Sequence, residues 1–247
     1  MIFPEILIKI RIMAPELLKL ESIINYKFRD RTLLKNAMTH RSYAMERKIS
    51  TDNQRLEFLG DAVIELIVTG YLFNLYTEKQ EGELTALRSA LVQKNTLAML
   101  AKTINLQDFI FLGKGEIEAE GSTRNSTLCD AFEALFGAIY LDSDFDTVRA
   151  SLLAILITAF PKPDNLLEEL NPKGLLQEVT QKKWGLKPEY KVREAVGPQH
   201  DIVYAMDAYI DGILYGTGKG KNRKEAETAA AKATLYMIRK IVKKCRR

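Results

Sequence analysis

In the stretch RLEFLGDAVIELIVTGYLF, residues 55–73, three acids recur at every fourth position of an otherwise apolar run: Glu57, Asp61 and Glu65. On a helix each lies about 40° from the last, so they form one acidic line. Leu56, Phe58, Leu59, Ala62, Val63, Ile64, Leu66, Ile67 and Val68 cover most of the remaining wheel, and a helix apolar almost all round expects burial. Buried carboxylates without partners are costly, and two side by side also repel. A second pair, Asp130 and Glu133, stands three residues apart in STLCDAFEALFGAIYLD, residues 126–142, and shares a helical face. If the two helices face each other, four carboxylates surround one cavity. Such oxygens suit a hard divalent cation such as Mg²⁺, which activates water and stabilises an oxyanion leaving group. Two plainer readings compete. Asp130 could serve a capping box with Thr127, and Glu57 and Asp61 could pair with Arg55, Arg88 or Lys94. Glu65 reads as the partner of a basic residue or as solvent-facing. LDSDFD, residues 142–146 and the leucine before them, is not an EF-hand loop, because Thr147 and Leu153 stand where Gly and Glu are needed; it reads as turn and capping chemistry.

The elements that must position these acids are helical. Segments 15–25, 31–45, 55–76, 83–103 and 127–140 carry apolar residues at helical spacing, and almost nothing in the first 160 residues alternates with a period of two. GKGEIEAEGSTRNS, residues 113–126, reads as a polar loop. PKPDNLLEELNP, residues 161–172, has three prolines and marks a linker. Beyond it the order becomes helix, three strands, helix: LLQEVTQKKW, then EYKVREAV and HDIVYAMDAYIDGILYGTGKG, then an Ala-rich closing helix.

The chain has 247 residues, long enough for two domains, and its net charge of +4 hides an asymmetry. Residues 172–247 hold 17 Lys+Arg against 8 Asp+Glu, a balance of +9, while residues 1–171 balance at −5. A basic module beside an acidic one favours a polyanionic partner. Lys219, Lys221, Arg223 and Lys224 crowd a helix start, where the macrodipole disfavours cations, so either an external anion binds there or the run is solvated charge. No apolar run reaches the roughly 20 residues of a membrane span, and MIFPEILIKIRIM lacks a signal-peptide cleavage site. Cys129 and Cys245 form neither a disulfide framework nor a metal-ligand pair, which fits a reducing cytoplasm. His40, in an apolar segment with no second histidine nearby, reads as structural.

NQRLEFLGDAV (53–63) resembles the signature of ribonuclease III, and LCDAFEALFGAIYLD (128–142) resembles its second acidic motif; THRSY (39–43) and EGELTALRSALV (81–92) match flanking segments. The segment 172–240, with PKGLLQEVTQKKW, GPQH and GTGKGKNRKEAETAAAKA, resembles a double-stranded-RNA-binding domain. The resemblance implies an all-α endonuclease domain over 15–160, a linker over 161–171 and a small α-β-β-β-α domain over 172–242. An N-terminal extension, 1–14, and a basic tail, 243–247, flank them. It implies Mg²⁺-dependent cleavage of double-stranded RNA (with Mn²⁺ able to substitute), giving 5′-phosphate and 3′-hydroxyl ends with a short 3′ overhang, and processing of rRNA precursors and structured transcripts in the cytoplasm. Glu57, Asp61, Asp130 and Glu133 become metal-binding catalytic carboxylates and Glu81 an accessory acid. Phe58 becomes a homodimer contact, and neither a membrane nor a small-molecule cofactor is implied. Gln177, Glu178 and Gln181 match the first RNA-contact region, His200 the second, and Lys221, Arg223 and Lys224 the basic helix start that meets phosphates. Gln54 stands where bacterial members often have Glu, and Asn222 where serine is usual.

Overall fold

The computed structural model describes residues 17–198 and 202–245, which divide into two compact units at 163/164. The first is helical: α1 (17–23), α2 (Arg31–Ala37), α3 (Arg41–Arg47), α4 (Gln54–Leu75), α5 (Glu81–Val92), α6 (Lys94–Thr103), α7 (Lys114–Glu118), α8 (Asn125–Asp142) and α9 (Phe145–Ala159). Short 3₁₀ turns at Leu106–Asp108 and Gly121–Thr123 join some of them. The run 83–103 is broken because Gln93 takes an extended conformation, φ −66°, ψ 150°, which separates α5 from α6. The segment 113–126, expected as loop, contains α7 and the second 3₁₀ turn.

Helix α8 is the centre of this unit. It packs against α4, α6, α2 and α9, and apart from its polar first turn it is buried on nearly every side. Phe132 and Phe136 are fully buried, their rings 4.8 Å apart. The meeting of α4 and α8 is a close backbone crossing. A Cβ on Gly60 would stand 1.8 Å from the carbonyl oxygen of Glu133, and one on Gly137 would stand 2.3 Å from that of Leu56. Only glycine permits that approach from either side. The far end of α8 is pinned by Asp142, whose carboxylate accepts from Tyr26 Oη at 2.6 Å, Arg29 N at 2.7 Å and Asp30 N at 2.8 Å. Burial alone would raise its pKa, but those donors outweigh it and hold the carboxyl group below the usual carboxylate range. Asp144 caps α9 by accepting from Thr147 N at 2.8 Å, so the acidic run 142–146 performs the turn and capping role its sequence suggested.

The second unit contains α10 (Pro163–Leu170), α11 (Pro172–Trp184), β1 (Glu189–Val196), β2 (Val203–Ile210), β3 (Ile213–Gly220) and α12 (Arg223–Cys245). The proline-rich stretch expected as linker is thus mostly helix. Leu166 and Leu167 of α10 are buried, and Glu168 forms an ion pair with Arg239 of α12. The three strands pair antiparallel in the order β1-β2-β3. Asp211 and Gly212, at φ 52° and 72°, make the two-residue turn between β2 and β3, the conformation that Asp-Gly favours. Helix α12 lies flush on β3. A Cβ on Gly218 would meet Ala230 N at 2.1 Å, and the helix side of that contact is Ala226 and Ala230, both fully buried.

Replacing Gly60 with alanine forces a methyl group into a rigid backbone. Overpacking of this kind should cost about 3 kcal/mol or more and lower the melting temperature of the first unit by roughly 10 °C. Thermal denaturation followed by circular dichroism checks it, and an unchanged melting curve would refute the close crossing.

Candidate functional site

The Gly60 contact sets the register of the acids. Glu57 and Asp61 flank it one turn apart on α4, while the backbone that touches Gly60 is that of Glu133 itself. The crossing therefore brings both acidic pairs to one place. Their exposure is graded: Asp61 is exposed, Glu57 and Asp130 are half-buried, and Glu133 retains 9% of its surface. Burial raises Glu57, Asp130 and Glu133, and repulsion adds to it at Glu57 and Glu133. Glu57 is pushed up by desolvation and by Asp130, Asp52 and Asp61. Asp130 is pushed up by desolvation against the fields of Lys94 and His40. Glu133 is raised to about 7, chiefly by burial, with Asp61, Glu57 and Asp130 adding to it and a hydrogen bond from Cys129 opposing it.

Among the described residues no lysine or arginine makes an ion pair with any of the four. Arg88 pairs instead with Glu65 at 3.5 Å, and Glu65 is also exposed, so both readings of it, basic partner and solvent-facing, describe it. The capping alternative for Asp130 also lapses: α8 starts at Asn125, which puts Asp130 in its second turn. Lys94, exposed at the start of α6, acts on Glu57 and Asp130 only through its field. The donor set is thus oxygen-rich, anionic and short of cations, which fits a hard divalent metal ion.

Residues around this centre have plainer roles. His40 caps α3, its Nδ1 accepting from Ser42 N at 3.2 Å, as expected of a structural histidine, although its field reaches Asp130. Gln54 accepts from Arg41 at 3.4 Å. Glu81 opens α5 and accepts from Thr85 Oγ1 at 2.9 Å; it lines a separate surface cleft with Leu72, Phe73 and Arg88. Phe58 projects from α4 beside Glu57 and is 83% exposed. One participant was hidden by reading the cysteines as a pair. Cys129, one turn before Glu133, is buried against it with Sγ 3.5 Å from Oε1, and the i,i+4 spacing was the available signal.

In the second unit, Leu176 and Thr180 turn one face of α11 inward and leave Gln177 and Gln181 exposed one turn apart, with Glu178 half-buried beside them. Lys221, Arg223 and Lys224 are exposed where α12 begins. That start is held by a reciprocal cap: Glu225 N donates to Asn222 Oδ1 at 2.9 Å, while Lys221 N and Asn222 Nδ2 donate to the Glu225 carboxylate at 3.0 and 2.8 Å. Asparagine thereby fills the capping role open to serine. His200 lies outside the described residues, as do the extension 1–14 and the last two residues of the basic tail.

The Ribonuclease-III-like family model matches residues 30–159, and the double-stranded RNA binding motif matches residues 172–237. Ribonuclease 3 of Enterococcus faecalis is 43% identical over 215 residues, covering 85% of this chain and 92% of that protein. Ribonuclease 3 of Aliarcobacter butzleri is 39% identical over 221 residues, covering 90% and 97%. Two solved structures of the nuclease domain of ribonuclease III from Campylobacter jejuni are 42% identical with a TM-score of 0.55, over 58% of this chain and 95% and 97% of theirs. One of them concerns structural flexibility in a region involved in dimer formation.

The raised Glu133 carries a stability signature. Between its ordinary value of 4.5 and about 7 the folded state holds a proton that the unfolded state has lost, so stability falls as pH rises through this window. Above it the full penalty applies, on the order of 3 kcal/mol. Metal-free Glu133→Gln should therefore melt higher than the parent at pH 8 and no higher at pH 4. Melting curves at the two pH values decide it; a gain that is equal at both would mean that burial of the charge is not the cause.

Proposed function

The chain belongs to the ribonuclease III family, and we propose that Glu57, Asp61, Asp130 and Glu133 hold the divalent cation on which this metal-dependent family relies. The protein is an endoribonuclease of double-stranded RNA, with a nuclease domain and a duplex-binding domain in one chain. The observation that carries the assignment of the four acids is their convergence at a helix crossing where, among the described residues, no lysine or arginine pairs with them.

The cation is Mg²⁺, with Mn²⁺ able to substitute, since the four acids offer only oxygen. When bound, it supplies a nucleophile at neutral pH and offsets the charge developing on the leaving oxygen. The chain's own groups do the rest. Glu133, deepest of the four, must lose its proton before it can serve as a ligand, so cation affinity falls as pH drops below about 7. The exposed Asp61 and half-buried Glu57 and Asp130 form the open side from which a phosphodiester approaches. Water attacks phosphorus in line and the 3′ oxygen leaves, giving 5′-phosphate and 3′-hydroxyl ends. Two such centres in a homodimer, offset across the duplex, leave a short 3′ overhang. Phe58, Leu66 and Phe73 project from α4 within about 80° of arc and are 83%, 59% and 69% exposed, an apolar strip suited to a second copy. The accessory acid Glu81 lies at the edge of that side of the domain, in the cleft with Phe73.

In the duplex-binding domain, Gln177, Glu178 and Gln181 meet one minor groove and His200 the next. Lys221, Arg223 and Lys224 meet the phosphates between, and recognition is of A-form shape with little sequence preference. Structured transcripts, rRNA precursors among them, are the natural substrates, and the cytoplasm is the setting; no helix among the described residues is long and apolar enough to cross a membrane.

A pair of variants separates the two modules. Glu133→Ala should abolish cleavage of a long RNA duplex while leaving its binding intact, and turnover at the parent rate would sink the assignment. Changing Lys221, Arg223 and Lys224 together to alanine should weaken binding and reduce the slope of log K against log salt by up to about 3. An unchanged slope in a filter-binding titration would make the basic helix start mere solvated charge. Phe58→Glu should convert the homodimer to monomer in sedimentation at micromolar concentration, and an unshifted dimer would remove Phe58 from the interface.

A further inference from the structure

The acidic centre contains one atom that a hard cation does not use. Cys129 Sγ lies 3.5 Å from Glu133 Oε1, and the donor atoms of Cys129, Asp130 and Glu133 all fall within 4.8 Å of one another. We propose that Cys129 makes this centre a second, inhibitory metal site: Zn²⁺, or another thiophilic cation, binds through Cys129 Sγ with carboxylate oxygens of Asp130 and Glu133. The inference rests on the reading of these carboxylates as metal ligands.

Two independent observations carry it. The first is geometric. A tetrahedral Zn²⁺ with a sulfur ligand at about 2.3 Å and oxygens at about 2.1 Å places sulfur and oxygen about 3.6 Å apart, and the observed pair already stands at 3.5 Å. Residues 129 and 133 are one helical turn apart, so the helix itself presents both groups on one side. The second is the state of Glu133. It is nine-tenths buried, yet among the described residues its carboxylate receives no N–H donor and no cation, and the thiol is its one hydrogen-bond partner. A buried carboxylate so poorly matched is aimed at a ligand.

The chemistry separates the two cations. Mg²⁺ takes oxygen in octahedral geometry and keeps several waters, so it gains nothing from sulfur. Zn²⁺ is softer, binds more tightly to mixed sulfur and oxygen donors, and is content with three protein ligands and one further position. On binding, the Cys129 S–H bond breaks, its proton passes to solvent and the sulfur bonds the metal; no oxidant or reductant is involved. Asp130 and Glu133, drawn into a tetrahedron around Zn²⁺, are withdrawn from the hard-ion arrangement. Cleavage should then respond to trace zinc in the presence of excess magnesium.

The test uses the full chain carrying Cys245→Ser, so that Cys129 is the only thiol. Cd²⁺ alone, added to metal-free protein, should produce a thiolate-to-cadmium charge-transfer band that saturates at one equivalent and is displaced by Zn²⁺. The band should vanish in Cys129→Ala on the same background. In duplex cleavage with Mg²⁺, the Zn²⁺ concentration that halves each variant's own rate should rise roughly tenfold or more in Cys129→Ala, as expected when one ligand is lost. No band in the Cys245→Ser protein, a band that survives in Cys129→Ala, or equal zinc sensitivity in the two proteins would each overturn the proposal. Glu133→Ala run alongside keeps the two levels apart: if cleavage still requires Glu133 while cadmium finds no sulfur, the sulfur ligand fails and the carboxylate reading stands. If cleavage survives the loss of Glu133, the carboxylate reading itself fails.

Discussion

Two helices in van der Waals contact at their backbones govern the nuclease domain. Gly60 and Gly137 let α4 and α8 approach until each glycine faces a carbonyl of the other helix. The acids gain their meaning from that approach. Glu57 and Asp61 straddle Gly60, and Asp130 and Glu133 precede Gly137, so any side chain at either glycine would drive the two pairs apart. The rest of the domain serves the crossing. Helices α2, α6 and α9 pack round α8, and Asp142 ties its C-terminal end to the turn before α2 through three hydrogen bonds.

Holding four carboxylates at such a crossing opposes stability. Desolvation raises Glu133, Glu57 and Asp130, repulsion adds to it at Glu133 and Glu57, and the positive fields of Lys94 and His40 act without forming an ion pair. A protein optimised only for stability would replace Glu133 with a neutral residue of the same volume. Its place in a fully packed helix is what supports the proposal of an external cation there. The thiol of Cys129 offsets part of that cost by donating to Glu133, a weak contact.

The duplex-binding domain solves a related packing problem by the same means. Gly218 on β3 and the alanines of α12 remove the side chains that would hold helix and sheet apart, so the helix start comes down beside the end of β3. The Asn222–Glu225 cap then fixes that start and leaves Lys221, Arg223 and Lys224 free to face outward. Cations concentrated at the positive end of a helix oppose its macrodipole, and like the acids of the nuclease domain they fit a partner of opposite charge.

Much of this was legible in the residues. Four-residue spacing of acids in an apolar run, the switch from helical to alternating periodicity and the charge asymmetry of the two parts can be read from the chain without knowing what packs against what. The helix in the proline-rich stretch 163–170 was not, because its stability comes from burial of Leu166 and Leu167 and an ion pair to residue 239 rather than from its own propensity. Nor was the break at Gln93, where tertiary packing overrides a continuous helical pattern. The sequence by itself determined which carboxylates share a helical face, since that follows from a fixed rotation per residue. Only the tertiary structure decided that Glu133 is the deepest of them, that Cys129 stands against it and that, among the described residues, no lysine or arginine pairs with it. Those depend on how closely two distant helices approach, which is set by long-range packing.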